Sequence, residues 1–126
     1  MAARNDEASD VIFASQADMA AMSSAPGVEV RPIFGQSLLT CWITMAPGAG
    51  VPEHAHINEQ SGVVIAGSVT ITVNGESRVL SAGEAYLVAP NVVHEGVAGP
   101  EGAQLVESFT PVREDFREKW LALQQG

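Results

Sequence analysis

The fold of this chain is decided by the stretch Gly48-Ala-Gly-Val-Pro-Glu-His54-Ala-His56-Ile-Asn-Glu-Gln60-Ser-Gly-Val-Val-Ile-Ala-Gly67. It contains two of the three histidines, His54 and His56. On an extended segment, side chains two positions apart point to the same face, so both imidazoles can reach one point. Gln60 follows just before an apolar run, and the strand that this run predicts can carry its side chain back to that point.

The third histidine, His94, lies far along the chain in the segment Pro90-Asn-Val-Val-His94. Three imidazoles and one side-chain carbonyl suit a divalent transition metal. The sequence therefore predicts a metal site formed by His54, His56, Gln60 and His94. Imidazole is a permissive ligand, so Mn, Fe, Ni, Zn and Cu are all candidates. Because none of these ligands is charged, the ion would keep its full charge and polarise an oxygen of an anionic substrate strongly.

Two sequence motifs resemble those of the cupin family. The first family motif has a glycine, a His-x-His pair, a glutamate and a second glycine. The residues at these positions are Gly48, His54, His56, Gln60 and Gly67, with glutamine in place of glutamate. The second motif has a glycine, a Pro-x-Gly turn and a histidine, and it reads Gly83-Glu-Ala-Tyr-Leu-Val-Ala89-Pro90-Asn91-Val-Val-His94. Asn91 replaces the turn glycine and tolerates the positive φ that the turn requires.

The resemblance implies an all-β fold, the double-stranded β-helix or jelly-roll barrel. Short runs with period-two alternation between turn residues agree with it. We expect one cupin domain over residues 11–126, with the barrel at about 28–110 and disorder over residues 1–10. The last two strands are predicted at 94–98 and 103–109, and Asn74-Gly75 predicts a hairpin turn.

Helical patterns lie at both ends of the barrel. Ser15 followed by Asp18 predicts a helix N-terminus, so we expect a short helix that continues through Met22 and ends before Pro26. Near the C-terminus apolar residues recur at helical spacing, which predicts an amphipathic helix at about 113–123 that covers the barrel. The residues of this stripe are Val112, Phe116, Trp120 and Leu123.

Composition limits the classes of partner. The chain has 126 residues and a net charge of −9, which argues against nucleic acid and anionic membranes as partners. One cysteine, Cys41, excludes an internal disulfide and fits a reducing compartment, so we expect a cytoplasmic protein. The strand through Val63 and Ile65 is apolar on both faces, and a second subunit would cover the outer one. We therefore predict a homodimer.

A second group of functional candidates lies near the C-terminus. Glu107 alternates with Leu105 and Phe109 on the last strand, so its carboxyl group should lie inside the barrel, where burial is costly unless the group is paired or functional. The segment Glu107-Ser-Phe-Thr-Pro-Val-Arg113-Glu-Asp-Phe116 resembles the end of the small pectin- and alginate-pathway cupins, which open unsaturated uronates to linear keto acids. That resemblance implies that Glu107 transfers protons and that Arg113 binds a substrate carboxylate. The alternative is a structural salt bridge between the two.

Four residues close in sequence to the candidate site residues are expected to have structural or solvent-facing roles. Tyr86 could reach the site from the strand before His94, but we assign it to packing. Glu53, Glu59 and Glu95 each adjoin a predicted ligand, and period-two alternation should turn them toward solvent. The family's Pro-His-Glu-Gln run reads Ile57-Asn58-Glu59-Gln60 here, which bears on the identity of the substrate.

The function that these features favour is a metal-dependent lyase or isomerase acting on a small anionic sugar-like acid. Three alternatives stay open at this point. An Fe-dependent dioxygenase would use the same histidines. A manganese hydroxynitrile lyase is also found among small cupins with a glutamine ligand. A non-enzymatic cupin would bind a small ligand without turnover.

Overall fold

A computed structural model describes residues 10–125 of the chain. The predicted disorder of residues 1–10 therefore falls almost entirely outside the described residues. Eight antiparallel strands form one continuous sheet with the path β1-β2-β3-β8-β5-β6, while β4 pairs with β8 and β7 with β5. The strands are β1 (Met22–Ala25), β2 (Val28–Phe34), β3 (Leu39–Met45), β4 (Gly50–His54), β5 (Glu59–Val73), β6 (Glu76–Ser81), β7 (Ala85–Val88) and β8 (His94–Thr110).

The barrel has two arms. The first arm contains β2 and β3 and the second contains β6, and the long strands β5 and β8 run through both. The first half of β5 pairs with the second half of β8, and the second half of β5 pairs with the first half of β8. The register shifts near Gly67, whose φ is +72°, and a Cβ there would lie 2.1 Å from the carbonyl oxygen of Gly102. The prediction of two separate final strands was wrong, because the glycines bend β8 without reversing it.

One hydrophobic cluster fills the space between the arms. Val28, Val30 and Ile43 from the first arm belong to the same cluster as Val69 and Ile71 from the second. Burial alternates along β3, and its inward residues are buried. These are Leu39, Cys41, Ile43 and Met45. Together with the strand topology, this buried cluster bears out the predicted all-β barrel.

The C-terminal helix α1 spans Glu114–Gln125. Phe116 and Trp120 are buried against the barrel, as predicted, whereas Leu123 is exposed. Burying Phe116 alone contributes about 2 kcal/mol of stability. Glu114 and Asp115 lie in the first turn, where the helix dipole favours acidic side chains.

The predicted N-terminal helix is limited to a 3-10 turn over Gln16–Asp18. Its predicted continuation through Met22 was wrong, since Met22 begins β1 and pairs with Val30 of β2. A helix this short gains little from propagation, and pairing with the sheet buries Met22 instead. No helix in the described range is long and apolar enough to cross a membrane.

The two predicted turns have the expected backbone. Asn74 and Gly75 both have positive φ, at 51° and 80°, as the hairpin between β5 and β6 requires. Asn91 has a φ of 66°, so it does replace the turn glycine of the second motif. The main-chain N–H of Asn91 donates to the carbonyl of His56 at 2.7 Å. This turn therefore supports the histidine segment as well as leading to His94.

Candidate metal centre

The three histidines meet because β4 and β8 are paired. His54 ends β4, His94 begins β8, and the two are register partners. His56 follows in the loop between β4 and β5. One ring nitrogen from each histidine lies within 4.8 Å of the others, which is close enough for one ion to contact all three.

Each histidine ring is oriented by a main-chain carbonyl. The Nδ1 atom of every ring lies 2.8 to 2.9 Å from a carbonyl oxygen. These oxygens belong to Pro52, Asn58 and Val92 respectively for His54, His56 and His94. A carbonyl can only accept, so Nδ1 carries the proton and Nε2 of a neutral ring carries a lone pair. Burial lowers the pKa of His54 and His56, which favours the neutral form that binds metals.

Gln60 adds an amide oxygen to the same point. Its side chain is 5% exposed, and its Oε1 lies 3.0 Å from Nε2 of His56 and 3.2 Å from Nε2 of His94. With both Nδ1 atoms protonated, these contacts bring lone pairs together with no hydrogen between them. Such an arrangement repels unless a cation lies among the atoms. The donor set therefore fits a divalent metal, and His54, His56, Gln60 and His94 are the residues that could hold it.

The Gln60 amide nitrogen connects the metal-binding point to Glu107. It donates to Oε2 of Glu107 at 3.1 Å and to the Tyr86 hydroxyl at 3.2 Å. Glu107 lies opposite Gly62 of β5 and is one of the residues that line the cavity beside the histidines. Burial raises the pKa of Glu107, while the Tyr86 hydrogen bond, the Arg113 charge and the Gln60 hydrogen bond oppose that rise. Glu107 is thus held inside the barrel by hydrogen bonds from Tyr86 and Gln60.

Tyr86 packs against the core, as assigned, and its hydroxyl also belongs to this cluster. Its hydroxyl also donates a short hydrogen bond to Oε2 of Glu107. Gly62 lies between the two residues in the sheet, and a Cβ there would lie 2.3 Å from the Tyr86 ring. Burial and the nearby Glu107 carboxylate raise the pKa of Tyr86, so the phenol stays a donor. Glycine at position 62 leaves room for the Tyr86 ring to lie over β5. This glycine was the sequence signal that could have predicted the contact between Tyr86 and Glu107.

Arg113 lies beside the cavity and pairs with Asp115, which the sequence pattern did not single out. Its Nη2 and Nε donate to the carboxylate of Asp115 at 2.7 and 3.2 Å. Its guanidinium also lies 4.0 Å from the centre of the Phe116 ring and 5.1 Å from that of Phe109. The direct salt bridge with Glu107, considered as an alternative, is not what the structure shows. Arg113 lowers the pKa of Asp115 against the opposing effect of burial.

A cavity of about 260 Å³ contains these groups. The side chains that line it include His54, Gln60, Tyr86, His94, Glu107 and Arg113. Lys119 of α1 is a second cation along its wall. Glu53 and Glu59 are exposed as predicted, whereas Glu95 is partly buried and borders the cavity. Candidate ligating, acidic and cationic groups therefore share one cavity.

Comparison with known proteins agrees with this architecture. A family model described as the Cupin domain matches residues 41–108. The pectin degradation protein KdgF of Dickeya dadantii (strain 3937) is 36% identical over 84 residues, which cover 66% of this chain and 76% of that protein. A germin-like protein of Arabidopsis thaliana, subfamily T member 2, is 35% identical over 117 residues, but the chain spans only 53% of its length.

Solved structures show the same fold. An RmlC-like cupin from Shewanella frigidimarina has a TM-score of 0.77 and 31% identity, over 82% of this chain and 94% of that one. KdgF from Halomonas sp. also has a TM-score of 0.77, with 24% identity over 82% and 96% of the two chains. The family model spans more than half of the sequence. The chain therefore belongs to the cupin family, and within it resembles the cupins of pectin and uronate degradation.

Proposed function

We propose that this cupin is a metal-dependent lyase or isomerase that acts on a small anionic sugar-like acid of the unsaturated uronate type. His54, His56, Gln60 and His94 would hold one divalent transition metal, which when bound supplies a Lewis acid beside the substrate. The observation that carries the proposal is the double contact of Gln60. One amide places its oxygen among the histidines and its nitrogen on Glu107.

Glu107 is proposed to carry the proton. Its Oε2 already accepts from Tyr86 and from Gln60, which leaves Oε1 to exchange a proton with the substrate. Opening an unsaturated uronate ring breaks the bond between C1 and the ring oxygen, removes a proton from the C1 hydroxyl and adds one at C4. The reaction is an isomerisation, so it needs no further reactant. One carboxyl group that accepts and returns a proton serves both positions.

Two cationic side chains beside the cavity support an anionic substrate. The chain has a net charge of −9 and only six lysines and arginines, yet Arg113 and Lys119 both line the cavity. A substrate carboxylate would share the guanidinium of Arg113 with Asp115, and an arginine fork suits that geometry. Glu95, Glu107 and Asp115 line the cavity as well, so the guanidinium fork of Arg113, rather than a positive charge of the whole cavity, would select a carboxylate.

The test uses purified protein loaded with Mn²⁺, Zn²⁺ or Ni²⁺ and unsaturated galacturonate or glucuronate. We expect the ultraviolet absorbance of the C4=C5 double bond to disappear faster than without protein, and Glu107→Gln to remove most of this effect. An unchanged rate with every metal would overturn the substrate assignment. Oxygen uptake that requires Fe(II), or cleavage of a cyanohydrin, would instead assign one of the other enzyme classes.

A further inference from the structure

Asn58 is a buried polar residue in the loop between β4 and β5, and it makes contacts on two sides. It is 5% exposed. Its main-chain oxygen accepts from Nδ1 of His56 at 2.9 Å. Its side-chain Nδ2 donates to the carbonyl of Pro111 at 2.6 Å, a contact that spans 53 residues of sequence. One residue thus touches both a candidate metal ligand and the segment that leads to Arg113.

The contact with Pro111 fixes where that segment lies. Pro111 is two residues before Arg113, and α1 begins at the next residue. A buried amide is well accommodated only while its polar groups are bonded, so the Pro111 carbonyl and the Asn58 amide hold each other in place. A second route between the same regions runs through Phe109, whose ring lies 5.8 Å from that of His56 and contacts Arg113.

We propose that Asn58 is a positioning residue that couples metal binding at His56 to the position of Arg113. A metal on Nε2 of His56 would strengthen donation from Nδ1 to the Asn58 oxygen, as contacts behind metal ligands commonly do. The Asn58 peptide is then held more firmly, and its side chain holds Pro111 more firmly in turn. Such coupling is reciprocal, so an ordered Arg113 segment favours metal binding. The role assigned to Arg113 rests on the proposed function, whereas the effect of metal on the segment does not.

The test compares the full chain with Asn58→Leu, which removes the side-chain donor and keeps the branching at Cγ. Gln104→Leu, a change at an exposed amide on β8, is the matched control. Isothermal titration with Zn²⁺ measures metal affinity, and hydrogen–deuterium exchange of residues 112–117 is measured with and without Zn²⁺. We expect Zn²⁺ to slow exchange in the unmodified protein. In Asn58→Leu we expect affinity about tenfold lower and exchange that no longer responds to Zn²⁺.

The packing route through Phe109 is intact in Asn58→Leu, so a lost response assigns the coupling to the hydrogen bond. A folded variant with unchanged Zn²⁺ affinity and unchanged metal-dependent protection would overturn the proposal. Should Asn58→Leu fail to fold, Asn58→Ser serves for the same measurements. Protection by Zn²⁺ together with no turnover of uronates would refute the proposed substrate and leave the coupling standing. Unmodified protein that binds no metal would overturn both.

Discussion

The amide nitrogen of Gln60 lies 3.1 Å from Oε2 of Glu107, so a candidate metal ligand and the candidate proton carrier are hydrogen-bonded to each other. This contact gives a physical reason for glutamine at a position where the family motif has glutamate. A carboxylate at position 60 could accept a metal but could not donate to Glu107. Two carboxylates would then face each other inside the barrel.

Gln60→Glu should separate metal binding from activity. We expect metal affinity to be retained or increased, because the new ligand is anionic, while turnover of the uronate falls at least about tenfold as the donor to Glu107 is lost. Elemental analysis and the absorbance assay on the same preparation measure the two effects. Gln104→Glu, an equal change of charge on the outer face of β8, should alter neither. Full activity in Gln60→Glu would contradict this role of the amide.

Gly62→Ala should displace Tyr86. The added Cβ would lie 2.3 Å from the phenol ring, so we expect a loss of about 1–3 kcal/mol in the free energy of unfolding and reduced turnover. Gly50→Ala is the control, since its Cβ would make only ordinary contacts at 3.5 Å. Tyr86→Phe should reduce turnover with a smaller loss of stability. Denaturant unfolding measures the stability, and the absorbance assay measures turnover. A Gly62→Ala variant with unchanged stability and turnover would refute the position of the Tyr86 ring over β5.

Metal-free protein should lose stability as the pH falls below about 6.5. The folded-state pKa values of His54 and His56 lie below the ordinary value. At pH values between the folded and the unfolded pKa, the unfolded chain therefore binds more protons. Their contribution is complete above the unfolded pKa and is lost as the pH falls through the folded values. Glu107, whose pKa is raised, acts in the opposite direction and gains stability on protonation.

Thermal unfolding of the metal-free protein between pH 7.5 and 5 measures the slope of stability against pH. In a His54→Asn, His56→Asn variant the slope should flatten in the same range. An equally steep slope in that variant would show that other groups cause the loss.

The outer face of the sheet carries an uncharged strip on which we expect the homodimer predicted from sequence to form. Trp42, Val106, Val63 and Ala85 are aligned as register partners across β3, β8, β5 and β7. Val63 is 41% exposed, and Leu87 beside it is 75% exposed. In a chain of net charge −9, a strip of sheet made of uncharged residues is where two copies could approach with least repulsion.

We expect Leu87→Glu to convert a dimer to a monomer in sedimentation analysis. Val79→Glu, at an exposed position on β6, should leave the dimer intact. A monomer in the unmodified protein at tens of micromolar would refute the prediction.

Local chemistry determined much of this protein from sequence alone. The short spacing of the His-x-His pair keeps both rings near one point, although only His54 lies in a strand, and Asn74-Gly75 needs only its own φ angles to turn the chain. The family spacing of Gln60 and His94 brought them into the predicted metal centre, and the structure places them with the other two. The C-terminal helix followed from the 3.6-residue period of its apolar side chains.

Only the tertiary structure decided which residues surround that centre. Gln60 meets Glu107 across 47 positions of sequence, and Asn58 meets Pro111 across 53. Such neighbours are set by strand register, which no local pattern states. The same holds for Tyr86, which reaches Glu107 only because β7 and β8 flank Gly62 on β5. Period and turn chemistry act over a few residues, whereas the contacts between the candidate proton carrier and the candidate metal ligand exist only once the sheet has paired.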